Sequence, residues 1–245
     1  MFELDKQRII IIITLLLTTA YSCNNVRNYL VGRENYVECD QKGFVPRPTK
    51  SYRKYKKFRR STGEQELLKL AQSENLALKT YAYWALIEKS EIEYLEIFEK
   101  LLQDTSEVVY GCGCTSSSEK ISTTTYFNYF ITQPPFYSPD GEPLERLKTD
   151  EKLYKLDSLI VFSELQEDDL LWYALDHREF TTKEILERII ELAFEKDNEA
   201  SANYIKDNFD KESFEIYKQQ ILSLNTEKLT DFGKELFENL KRKGI

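Results

Sequence analysis

At 245 residues the chain is long enough for one well-buried domain, or one domain on a tether. Eight glycines, six prolines, 31% charged and 13% aromatic residues describe a globular, helix-leaning chain without a long disordered tract. A formal net charge of -8 argues against a nucleic-acid binder acting through its whole surface. The charge is unevenly spread: residues 24–60 hold 11 Lys/Arg against 3 Asp/Glu, and residues 61–245 hold 21 against 37. A basic neck of +8 therefore precedes an acidic body of -16.

Residues 9–20 are a run of Ile, Leu, Thr and Ala behind Lys6 and Arg8. Crossing a bilayer core takes about 20 apolar residues, and this run is shorter. A short apolar core after a basic flank, ending in small residues, reads as a secretory signal. It ends at Ala20-Tyr21-Ser22-Cys23. There it resembles a bacterial lipoprotein signal, in which a small residue precedes the cysteine that becomes the first mature residue. The resemblance implies a signal peptide over 1–22, palmitate-type acyl chains on Cys23, and a membrane-anchored place in the cell envelope, at the outer membrane or periplasmic face. The alternatives are an uncleaved anchor or an ordinary signal peptide.

The neck, 23–60, begins with a strand-like piece within 26–39 and a turn at 40–43; Pro46 and Pro48 then interrupt regular structure. Arg47, Lys50, Arg53, Lys54, Lys56, Lys57, Arg59 and Arg60 follow, interleaved with Tyr52, Tyr55 and Phe58. Beside a lipid anchor this basic run, Arg53, Lys54, Lys56 and Lys57 foremost, is a candidate for contact with anionic head groups. The blander reading is a solvated spacer, or a strip docked on the acidic body.

From Ser61 the pattern turns helical. Ser61 with Glu64, and Thr62 with Gln65, have capping-box spacing. In residues 75–89, Leu78, Ala82, Ala85 and Leu86 share one helical face, and Tyr81, Trp84 and Ile87 widen it until the helix must be covered on most sides. Ser90 with Glu93 opens a third helix carrying Tyr94, Leu95, Phe98, Leu101 and Leu102. Short links between three helices require antiparallel packing. The stretch 66–104, with N-x-A-L-x-x-Y-A-Y-W-A-L followed by L-L-x-D, resembles HEAT-like α-helical repeats of uncharacterised bacterial lipoproteins. The resemblance implies an all-α fold of HEAT-like antiparallel hairpins, α-solenoid-like, over 61–245, and it carries no catalytic residues.

Residues 105–150 read as a small β-hairpin and loop insertion. Residues 108–110 and 123–132 are β-branched and aromatic, so strands are expected there, with Gly111-Cys112-Gly113-Cys114 and a Ser-rich turn between them. An irregular loop follows over 133–143. Helices are expected over 151–162, 167–176, from Thr181 with Leu186, Ile189, Ile190 and Ala193 as its stripe, and over 198–209, 211–224 and 226–242.

The chemistry is sparse. His177, the single histidine, sits at a helix end and reads as structural; one histidine cannot assemble the usual zinc site. No P-loop, G-x-S-x-G, G-x-G-x-x-G or H-E-x-x-H occurs, so no cofactor, metal or catalytic residue is expected. Glu167, Asp168 and Asp169 read as a helix N-terminus. An exported protein would oxidise at least two of Cys39, Cys112 and Cys114. The expected bridge runs from Cys39 to Cys112 or Cys114, and the competing reading is a soft-metal C-x-C pair. The chain reads as a lipid-anchored interaction or assembly module with an unidentified protein partner and no nucleic acid. The alternative is an envelope hydrolase or glycan binder stacking sugars on Tyr110, Tyr126, Tyr129, Phe136 and Tyr137 of the insertion.

Overall fold

A computed structural model describes residues 34–42, 48–90, 93–132, 147, 149–163, 168–209, 216–217, 221 and 231–242. The segment 1–22, Cys23, Phe136, Tyr137, Glu167 and most of 211–230 lie outside the described residues. The fold is mostly helical with one small three-stranded sheet. The chain divides into two compact units, Met1–Thr132 and Gln133–Ile245.

The first unit is arranged around α3 (Leu76–Lys89), which follows α1 (Lys50–Ser61) and α2 (Glu64–Leu70). Asn75 caps α3 by accepting from Leu78 N–H at 2.9 Å. Its residues 80–87 are all buried, Trp84 completely. A helix apolar on nearly every side must be enclosed, and α3 packs against α1, α2, α4 (Tyr94–Leu102), α5 (Ile121–Thr132) and the sheet. The sheet order is β1 (Tyr36–Lys42), β2 (Glu107–Gly113), β3 (Thr115–Lys120). β1 runs parallel to β2, pairing Tyr36 with Val109 and Val37 with Tyr110. β3 returns antiparallel, pairing Glu107 with Lys120 and Cys112 with Thr115. Gly113 (φ +57°) and Cys114 make the two-residue turn, with glycine at its first position as such hairpins require.

Three sequence expectations change here. The first is the separate neck over 23–60. β1 continues through the expected turn at residues 40–42, and α1 belongs to the core, with Tyr52, Tyr55 and Phe58 buried. Residues 52, 55 and 58 recur at helical spacing, so the basic-aromatic alternation is an amphipathic helix, opened by Thr49 accepting from Tyr52 N–H at 3.0 Å.

The second is residues 123–132, expected as a strand and found inside α5. The β-branched propensity is overridden by burial: Ile121 to Tyr126, Asn128 and Tyr129 are all enclosed. Thr124 meets part of the cost by donating to Ile121 O at 3.0 Å. The segment 105–132 thus completes the first unit, instead of interrupting a continuous helical domain.

The third is the pair of capping boxes. Ser61 donates back to Lys57 O at 3.0 Å, and Thr62 N–H bonds Phe58 O at 3.0 Å. Both residues therefore finish α1, and Gly63 opens α2 without a side-chain cap.

In the second unit the described helices are α6 (Glu151–Phe162), α7 (Asp168–Asp176), α8 (Lys183–Glu195), α9 (Glu199–Asn208) and α10 (Asp231–Arg242). Asp150 caps α6 by accepting from Leu153 N–H at 2.8 Å, and Asn198 caps α9 by accepting from Ser201 N–H at 2.9 Å. The expected Thr181–Glu184 start is displaced: Thr182 precedes α8, and its hydroxyl meets Tyr154 Oη at 2.7 Å. Beyond the end of α8, Asp197 (φ +58°) turns the chain in the left-handed region, and Asn198 N–H reaches back to Leu192 O at 3.0 Å. α6 packs on α7, α8 on α9, α6 on α8 and α7 on α9, with α10 against α8 and α9.

Candidate functional site

The clearest surface feature is α1. It carries seven Lys/Arg and no Asp/Glu in twelve residues. Its inner face is fixed by aromatic contact: Tyr55 stacks on Tyr81 at 5.2 Å and meets the edge of Trp84 at 5.4 Å. Glu88 of α3 then binds three elements together. Its Oε1 accepts from Tyr55 Oη at 2.5 Å and from Asn128 Nδ2 of α5 at 2.9 Å, while Arg59 of α1 pairs with Oε2. Burial pushes the Tyr55 and Tyr52 phenols above their ordinary range. Both therefore stay neutral donors, and a carboxylate this fully occupied is a structural clamp. Lys89 donates to Arg59 O at 3.2 Å and Thr62 O at 2.8 Å, placing a cation on the C-terminal carbonyls of α1.

This packing sorts the four predicted surface-contact residues. Arg53 and Lys57 are exposed and Lys54 is half-exposed. Lys56 is drawn inward, lying 5.0 Å from the Tyr52 ring centroid and 3.8 Å from Asp40. Arg60, also in the basic run, is exposed on the same face as Arg53 and Lys57. A helical projection of residues 50–61 would have identified that face.

The structure pairs Cys39 of β1 with Cys112 of β2 in a disulfide, with the Cα atoms 5.2 Å apart. The two cysteines sit on adjacent strands just beyond the Glu38–Gly111 pair, so sheet register brings them together. Cys114, in the hairpin turn, is a free thiol and exposed. With Cys112 bridged, the C-x-C motif does not present two thiolates. Among the described residues no group of three or more His, Cys, Asp or Glu is placed to hold a metal ion.

Three of the tyrosines proposed for sugar stacking are core residues, and Phe136 and Tyr137 lie outside the described residues. Tyr110, Tyr126 and Tyr129 are buried in the first unit. Tyr110 meets Trp84 and Phe127 edge-on, each at 6.1 Å, and Tyr126 packs against Phe98.

In the second unit His177 is buried at the end of α7, with Nδ1 2.7 Å from Tyr173 O and Nε2 3.4 Å from Asp157 Oδ2. The neighbouring Arg178 donates through Nε to Asp157 Oδ2 at 2.6 Å and through Nη2 to Leu147 O at 2.8 Å. Its guanidinium also covers the Tyr154 ring at 5.3 Å. A fully buried carboxylate requires such compensation, and the cluster joins α6 to the segment after α7. Asp169 is exposed at the α7 N-terminus, where its charge suits the helix dipole.

Among the described residues no helix is long and apolar enough to cross a membrane. Searches against protein-family models, curated proteins and solved structures find no match for this chain, so its function is argued from its own residues.

Proposed function

We propose that the chain is an exported lipoprotein, held at a cell-envelope membrane by acyl chains on Cys23, whose folded units serve as a non-catalytic interaction or assembly module. The observation that carries this reading is one apolar run ending at Ser22-Cys23, on the same chain as a disulfide between Cys39 and Cys112. Disulfides persist in oxidising compartments, where such a run would deliver the chain. HEAT-like antiparallel hairpins are the scaffold proposed for 61–245, on the resemblance carried by residues 66–104. What supports this is the packing of α6 on α8 and α7 on α9, the pattern of stacked two-helix layers. Among the described residues the exposed surface is largely polar and charged, with Leu68, Phe162, Trp172 and Ile216 as exposed apolar side chains, and the buried Glu88 and Asp157 clusters hold elements together.

The test is metabolic labelling of the full-length chain with an alkyne fatty acid. Label should appear on the wild type and vanish in Cys23→Ser. A wild type without label would overturn the assignment.

A further inference from the structure

We propose that the exposed face of α1 formed by Arg53, Lys57 and Arg60 docks on the anionic head-group layer of the membrane. The proposal rests on the lipid-anchored reading and names the surface its first unit meets. Residues 53, 57 and 60 share one helical face and span about 10 Å along the axis. All three are exposed, whereas Lys56 and Arg59 are occupied by Asp40 and Glu88. The opposite face, Ser51, Tyr52, Tyr55 and Phe58, is buried in the first unit, so α1 cannot roll and presents its cations in a fixed direction.

That burial also sets the mode of contact. Interfacial helices insert an apolar face between lipids, but the apolar face of α1 is already used by the core. What remains is attraction between guanidinium or ammonium groups and lipid phosphates, which salt screens. Cys23 precedes Glu34, the first described residue, by eleven positions, a reach of at most about 40 Å. An acyl anchor there would hold α1 near head groups at high effective concentration. The -8 net charge of the whole chain opposes a soluble polyanion more than a surface against which one face can be turned.

The experiment is amine footprinting of the full-length chain on two kinds of vesicle, phosphatidylcholine alone and phosphatidylcholine mixed with phosphatidylglycerol. Lys57 reactivity is compared with that of exposed Lys69 and Lys206. Each basic side chain at an anionic surface shifts the docked-to-undocked ratio by about five-fold at low salt. Lys57 should therefore be several-fold protected on the anionic vesicles only, and recover at high salt, while Lys206 stays constant. Arg53→Glu with Arg60→Glu should abolish the protection, with an intact Cys39–Cys112 bridge reporting the fold. Equal Lys57 reactivity on both vesicles overturns the docking, as does protection by dissolved dextran sulfate with none on anionic vesicles. Intact mass from the same sample reports acylation. Acyl mass with an unprotected Lys57 sinks the docking alone, and absent acyl mass sinks the anchor.

Discussion

In the first unit, rings from α1, α3, β2 and α5 touch in sequence, from Tyr52 through Tyr55, Tyr81, Trp84 and Tyr110 to Phe127 and Phe130. A disulfide ties the two strands at the rim of that core. In the second unit, Leu153, Leu156, Ile160, Ile189 and Ile190 fill the interior, and a buried Asp157–Arg178 pair ties α6 to the segment after α7. The charges differ as well. Met1–Thr132 holds 18 Lys/Arg and 16 Asp/Glu, and Gln133–Ile245 holds 16 and 26, so the net values are +2 and -10. The contrast follows from connectivity. β1 and β2 are parallel and separated by four helices, so pairing them closes a long loop, and a covalent bridge offsets that entropy. The helices of the second unit pack largely through neighbours in sequence, whose loops close cheaply. The first unit is therefore sensitive to redox state, and the second to loss of a buried charge.

The largest expected effects address the two cores. Trp84→Ala should cost about 3–5 kcal/mol, because the ring is fully buried against those of Tyr55, Tyr81 and Tyr110. Arg178→Leu should cost about 3–5 kcal/mol by removing the guanidinium that compensates the buried Asp157 carboxylate. Arg178→Leu combined with Asp157→Leu should recover most of that loss, since removing both charges also removes their desolvation. Hydrogen exchange followed segment by segment reads each unit separately. If Trp84→Ala loosens α8 as much as α3, the two cores are not distinct. If the double leucine variant is no better than the single, the ion pair does more than compensate itself.

Removing the bridge sharpens the comparison further. With cysteines 73 positions apart, Cys39→Ala with Cys112→Ala should destabilise the first unit by about 4 kcal/mol in the chain-entropy model. Exchange in β1 and β2 should rise steeply, while α6 to α9 hold. Unchanged protection of the sheet would show that the aromatic core alone sets its stability.

Much of this was legible in the sequence, and the failures have identifiable causes. The central helix was visible because its apolar residues recur at helical spacing and Asn75 marks its start. The second-unit helices were legible within a few residues for the same reason, although Ile185 is buried where Leu186 was expected. α5 was not legible, since Ser-Thr-Thr-Thr-Tyr-Phe carries strand propensity and only tertiary enclosure makes it helical. β3 was hidden in Thr115 to Lys120 because an exposed edge strand carries no apolar alternation. The neck misled because charge was weighed before periodicity. Lys56 stood among the surface candidates because its partner Asp40 lies on β1, sixteen positions away, although Tyr52 is its i,i+4 neighbour on the helix. The buried Asp157–His177–Arg178 cluster gave no signal beyond an acidic residue beside a histidine.

A smaller effect separates the alkaline limits of the units. Tyr204 Oη accepts from Phe180 N–H at 2.7 Å, and burial, with the charges of Glu179 and Tyr154, raises its phenol to about 12, against a weaker opposing pull from that N–H. An acid whose folded pKa is raised stabilises the fold below its unfolded pKa of 10.0 and loses that contribution as pH climbs towards the folded value. Tyr204→Phe should lose about 1–3 kcal/mol at neutral pH by orphaning the Phe180 N–H. It should also flatten the loss of second-unit stability above pH 10. The first unit, whose Tyr52 and Tyr55 are raised independently, should keep its own alkaline limb. A variant with an unaltered limb would place the titration elsewhere.

The smallest effect is an acid limb in the first unit. Lys79 of α3 reaches Asp104 Oδ2 at 2.5 Å, and Asp104 Oδ1 accepts from Ser106 N–H at 2.9 Å just before β2 begins. Burial alone would raise the Asp104 carboxyl. The hydrogen bonds from Lys79 and Ser106 and the Lys79 charge outweigh it, and the folded value falls below the ordinary one. A depressed carboxyl contributes stability above its unfolded pKa and loses it as pH falls through the folded value. Because the pair is partly solvated, Lys79→Met should cost only about 0.5–1 kcal/mol at neutral pH and low salt. The methionine keeps the apolar stem, so the difference should shrink with added salt and close once Asp104 is protonated in both proteins. Unfolding curves of Lys79→Met and parent taken down the acid limb should therefore converge. Curves that stay parallel at every pH would assign the loss to packing of the lysine stem against α3, and the approach to β2 would then owe nothing to charge.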